Sequence, residues 1–131
     1  MKKVLSIILT ASILLSLWGA TTVWASNDLN IVWIGGSFTE GTTVSSPSNN
    51  FVSLVGDYFT AKYPGVNVNN YNEGIGGTTS IYGRFRLEKD VVSKNPDIVF
   101  VEFAGNDSIV ARKDTVILAM ESIVRRLQSL P

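Results

Sequence analysis

Three short apolar runs, each closed by a polar loop that contains glycine, constrain this chain more than any other feature. Leu29 to Ile34 reads Leu-Asn-Ile-Val-Trp-Ile and stops at Gly35-Gly36. Val66 to Tyr71 interleaves Val with Asn and leads into a glycine-rich loop from Glu73 to Ser80. Asp97 to Phe103 is the clearest run and precedes Ala104-Gly105-Asn106-Asp107. Short β-branched and aromatic runs bounded in this way read as strands. A polar loop is expected from Ser37 to Asn50. Phe51, Val52, Leu54, Val55, Tyr58 and Phe59 then recur at helical spacing until Pro64-Gly65. A second helix is expected from Ile81 to about Ser93, with Ser80 as its cap and Asn95-Pro96 as its stop. A third starts at Asp114 or Thr115, with Val116, Met120, Ile123, Val124 and Leu127 as one apolar stripe. The order β-α-β-α-β-α predicts an α/β fold of three layers, α/β/α, around a parallel sheet of about three strands. Such a sheet has two open edges, so residues 26–131 are expected to fold poorly by themselves.

The first 25 residues have a different character. Lys2 and Lys3 open the chain, no further charge occurs before Asp28, and Val4 to Trp18 is apolar apart from scattered Ser and Thr. Val23-Trp24-Ala25 puts small residues at −3 and −1 of a cleavage point after Ala25. This is the layout of a secretory signal peptide, with an uncleaved anchor as the competing reading. Cleavage implies a secreted protein, in a bacterium by the style of the signal, without stable membrane association afterwards. It leaves nine basic residues against 11 acidic ones in residues 26–131, a net charge of −2.

That balance excludes the basic footprint on which nucleic-acid binding rests. The chain has no Cys, which excludes a disulfide framework, a thiolate nucleophile and a cysteine zinc site. It also has no His. The commonest general base and metal ligand is therefore missing, and no complete Ser-His-Asp triad can be assembled from these residues.

In an open parallel sheet the C-terminal ends of the strands share one edge, where ligands bind. The three glycine-bearing loops therefore converge. Gly36 and Gly41 have phosphate-loop spacing, but Thr42-Thr43 stand where Lys-Ser/Thr is required. Gly74-Ile75-Gly76-Gly77 follows the second strand and lacks the spacing of a dinucleotide fingerprint.

The three loops, in order and in place, resemble the motif blocks of the SGNH hydrolases, the GDSL-type esterase and lipase family, across essentially all of residues 29–131. Gly35-Gly36-Ser37, followed by Thr39 and Gly41, is similar to the Gly-Asp-Ser block, with Ser37 in the nucleophile's place. Asn72-Glu73-Gly74-Ile75-Gly76-Gly77 resembles the second block, whose glycine matches Gly77. Ala104-Gly105-Asn106-Asp107 resembles Gly-x-Asn-Asp, with Asn106 in the key position. Gly36 replaces the family's Asp and Ala104 its first Gly, departures common among members that act on carbohydrate-linked esters.

The resemblance implies a flavodoxin-like sheet and an esterase of short acyl groups, acetyl above all, on a small-molecule or carbohydrate ester. It implies Ser37 as nucleophile, and the Ser37 N–H, the Gly77 N–H and the Asn106 amide as oxyanion donors. Each such donor is typically worth about 10²–10³ in rate. No cofactor and no metal is called for. The family's Asp-x-x-His block has no counterpart here, so the reading is of the front part of an esterase domain that continues past Pro131. Glu40 or Asp107 as a substitute base is a poor match, because a solvated carboxylate is a weak proton acceptor. A non-catalytic, glycan-binding relic is the alternative. Elsewhere, Trp33 is expected in the core, and Glu102 is expected to pair with Arg84 or Arg86 of the preceding helix. Arg125-Arg126 is expected on a solvated face near a helix C-terminus.

Overall fold

The computed structural model describes residues 27–131, so the expected signal peptide lies outside the described residues. Strand β1 (Asp28–Gly35) leads to a single helical turn, α1 (Ser37–Glu40), and helix α2 (Phe51–Lys62) follows. Strand β2 (Asn67–Gly74), helix α3 (Ser80–Asp90), strand β3 (Ile98–Glu102), helix α4 (Ala104–Val110) and helix α5 (Lys113–Gln128) complete the order. Short 3-10 turns precede α2 (Pro47–Asn49) and follow α3 (Val92–Lys94). The sheet order is β2-β1-β3 and both pairings are parallel. The α/β expectation from the sequence is thus met.

β1 is central, and its alternation serves two cores. Val32 and Ile34 face one side, where they pack with Leu87 and Val91 after α3's start, Phe103, and Ile123 of α5. Ile31 and Trp33 face the other, against Val52 of α2. Trp33 is 5% exposed, as expected of a core residue. A strand covered on both faces must be apolar at every position, which is why this run lacks a polar alternation. β2 shows the half-buried version. Val68 and Asn70 serve the α2 side, while Tyr71 joins the other core.

Several boundaries differ from the sequence reading. The stretch read as loop from residue 37 begins with α1, because Gly41 at φ +89 accommodates the left-handed end of a turn. β2 extends through Gly74 because it pairs residue for residue with β1 up to Gly35. The motif Ala104-Gly105-Asn106-Asp107 forms the first turn of α4, not a loop. The cap of α3 is also different. Thr79 is the N-cap residue and makes no side-chain cap bond. The orphan Ser80 N–H donates instead to Asp107 Oδ1 at 2.9 Å, so a residue 27 positions away does the capping.

The apolar stripes also run wider than the surface they cover. On α2 only Val52 and Gly56 are buried, and Leu54 and Tyr58 are 55% and 60% exposed. On α5 Ile123 is fully buried, whereas Val124 is 43% exposed. Among the described residues, no helix is long and apolar enough to cross a membrane.

Candidate active site

All three strands point their C-terminal ends at one edge, and the register brings Gly35 level with Gly74 and with Glu102. Gly36 follows, and its N–H donates to Glu102 O at 3.0 Å. Ser37 therefore leaves the sheet at the start of α1, directly above the central strand. The turn sits so low on the sheet that a Cβ on Gly35 or Gly74 would strike Thr39 or the Glu40 backbone. Close approach of backbone to backbone is what those two glycines permit.

The loop after β2 wraps around the same point. Ile75 N–H donates to Gly35 O at 3.0 Å, and Thr78 N–H donates to Ile75 O at 3.3 Å. A Cβ on Gly76 would lie 3.9 Å from Ser37 Cβ. Gly77 next to it has φ +75, a left-handed backbone that disfavours any side chain. From α4, Asn106 reaches over. Its Nδ2 donates to Thr78 O at 2.8 Å and lies 2.8 Å from where a Cβ on Gly36 would be. Ser37, the glycine loop and Asn106 are thus brought together, each from the end of a different strand. Among the described residues the Ser37 hydroxyl makes no hydrogen bond. A small cavity of about 100 Å³ opens there, lined by Ser37, Phe38, Phe103, Gly105, Asn106 and Ile109. Larger apolar grooves, one of about 540 Å³ between Val101, Phe103, Val116 and Met120, lie along β3 and α5 and do not include Ser37.

The carboxylates have other tasks. Asp107 is 6% exposed and committed to the α3 cap, which removes it as a substitute base. Glu40 Oε2 accepts from Thr42 Oγ1 at 3.4 Å. The expected Glu102–arginine pair is not formed. Glu102 Oε2 accepts from the buried Thr39 hydroxyl at 3.3 Å. Arg86 instead pairs with Asp90 one turn along α3, at 3.0 Å. Its guanidinium also donates to Glu73 O at 2.7 Å and Gly35 O at 3.0 Å, tying the ends of β2 and β1 together. The rigid fork of an arginine reaches both strand-end carbonyls at once. Arg84 lies over the Phe85 ring.

Further residues that shape the site escaped the sequence reading. Asn50 and Asn72 each donate a side-chain amide to Thr39 O, at 2.9 and 2.8 Å. Asn72 was visible as part of a motif, but no spacing says which carbonyl its amide meets. Among the described residues there is no cluster of three or more acidic, His or Cys side chains that would hold a metal.

An open parallel sheet with a serine turn, a glycine loop and an asparagine amide at its C-terminal edge defines an α/β protein of the SGNH-hydrolase class. The description of the GDSL-like lipase/acylhydrolase family matches residues 33–131, and the chain belongs to that family. Among solved structures it is similar to a two-domain esterase (CEX) active on acetylated mannans. Identity there is 35% and the TM-score 0.72, over 78% of this chain and 27% of that one. It is also similar to AlinE4, an SGNH-hydrolase family esterase, with 21% identity, TM-score 0.68 and coverage of 79% and 56%. An acetyl xylan esterase from Geobacillus stearothermophilus, Axe2-W215I, shares 23% identity at TM-score 0.65, over 78% of this chain and 56% of that one. The last two likenesses concern the fold alone. The chain thus spans between about a quarter and just over half the length of these structures. No curated protein sequence matches it.

Proposed function

We propose that the chain carries the nucleophile and oxyanion hole of a secreted serine esterase that removes acetyl groups from carbohydrate. Ser37 Oγ attacks the ester carbonyl, and its proton passes to a base. The carbonyl oxygen becomes an oxyanion held by the Ser37 N–H, the Gly77 N–H and the Asn106 amide. The sugar oxygen then leaves with a proton, and water hydrolyses the acyl-enzyme to acetate and free Ser37. The base is the histidine of an Asp-x-x-His block outside these 131 residues, since they include no His.

One observation supports this reading above the others: the Asn106 amide lies beside the Gly36-Ser37 step, across from the glycine loop. A capping role alone would not require that side chain to reach another strand's loop. The acetyl preference has two supports, the action of the mannan esterase neighbour on acetylated polysaccharide and a cavity of about 100 Å³ beside Ser37. A glycan-binding protein without turnover is the competing reading. The product of the complete gene, incubated with acetylated mannan or xylan, decides between them. Acetate release that disappears in Ser37→Ala is expected. Binding to the polysaccharide with no Ser37-dependent acetate release contradicts the esterase reading.

A further inference from the structure

We propose that Asn72 is a positioning residue that holds the nucleophile turn in register with the glycine loop. The proposal rests on the esterase reading of Ser37. α1 is four residues long, so its later carbonyls have no following helical turn to donate N–H groups to them. Gly41 N–H satisfies Ser37 O at 2.9 Å. Thr39 O is satisfied from outside, by Asn72 Nδ2 at 2.8 Å and by Asn50 Nδ2 at 2.9 Å. Thr39 itself is fully buried.

The two amides differ in what they join. Asn50 Oδ1 accepts from Val52 N–H at 3.1 Å, so this side chain links α1 to the start of α2. Asn72 Oδ1 accepts from Gly74 N–H at 2.9 Å, at the root of the loop that carries Gly76 and Gly77. One planar amide thereby fixes the distance between the serine turn and that loop. The loop's far end is held by Asn106 through Thr78 O at 2.8 Å. The circuit runs from the Ser37 turn through Asn72, the glycine loop and Thr78 to Asn106. Asn72 is its only link between the turn and the loop that consists of a single side chain bonded to both, among the described residues.

Nucleophile and oxyanion donors act on the transition state, so a slipped register lowers kcat more than it raises KM. Misplacement by about 1 Å can cost on the order of 10²-fold. The test compares Asn72→Ala and Asn72→Asp with Asn70→Ala in the complete gene product, on 4-nitrophenyl acetate, with rates normalised to the folded fraction. Asn70 is the matched control. It lies two residues earlier on the same face of β2, donates to Val52 O at 2.8 Å and accepts from Trp33 Nε1 at 2.7 Å, away from the turn. Aspartate preserves the shape and the acceptor for Gly74 but loses the donor to Thr39 O.

Both Asn72 variants are expected to lose about ten- to a hundredfold in kcat with KM within about twofold, while Asn70→Ala lowers Tm and keeps kcat. Wild-type kcat in either Asn72 variant, an equal loss in Asn70→Ala, or failure of both Asn72 variants to fold would each overturn the proposal. Ser37→Ala is measured alongside. If it keeps its activity, the esterase reading fails. If it is inactive while Asn72→Ala is not, only the positioning role fails.

Discussion

Gly77 shows what a single position can reveal. A Cβ placed there meets nothing within 4 Å, yet its φ of +75 lies where side chains rarely go. Gly77→Ala is therefore expected to cost about 1–2 kcal/mol through the backbone alone, with no steric clash to relieve. Thermal or urea unfolding checks this, and an unchanged midpoint would mean that the loop adopts another conformation without penalty. Ser37, Gly77 and Asn106 are legible in the sequence because each stands in a short motif behind a strand. The contacts of Thr39, Asn50, Asn72 and Arg86 are not. Their importance lies in which backbone carbonyl or carboxylate each side chain meets, and those partners come from elements 11 to 63 residues away. The misassigned Glu102 partner has the same cause. Charge suggested an arginine, but Arg86 serves Asp90 and two strand-end carbonyls instead.

At the scale of elements, the strands are the most legible part, because burial on both faces leaves little choice of residue for β1, and β3 is a short β-branched and aromatic run. Helix starts are less so. The cap of α3 comes from α4, and no local pattern announces a cap from so far along the chain. α3 and α5 are also joined at the surface by Arg126, which donates to both carboxylate oxygens of Glu88 at 2.6 and 3.0 Å. The hydrogen bond from Arg126, aided by its charge, lowers the Glu88 pKa below the ordinary carboxylate value and raises that of Arg126. A carboxylate whose pKa is depressed by folding stabilises the fold above its unfolded pKa and loses that contribution as pH falls through the folded value. Glu88→Gln should therefore lower Tm slightly at neutral pH, with the difference shrinking in acid and in high salt. A difference that persists below the carboxylate range would point to packing, not charge.

On the scale of the whole molecule, the three strands of the described residues leave β2 and β3 each with an edge that no other described strand covers. Apolar side chains are also exposed on the elements at this end of the sheet: Phe100 of β3 is 37% exposed, and Ile109 and Val110 of α4 are 81% and 71% exposed. Residues 26–131 made alone are expected to self-associate, which sedimentation velocity would register. A monomer with a cooperative melt would contradict that expectation. The layer order and the convergence of the three loops follow from the β-α-β-α-β-α pattern. The groove along β3 and α5 is not legible in the sequence, because residues from separate elements line it and no local pattern brings them together. The central claim is that Ser37 is the nucleophile. Its most direct test is to treat the complete gene product with a fluorophosphonate and map the adduct by mass spectrometry. A single phosphonyl group on the peptide containing Ser37, absent in Ser37→Ala, is the expected result. A labelled residue elsewhere, or an active esterase that takes no label at Ser37, would contradict the account.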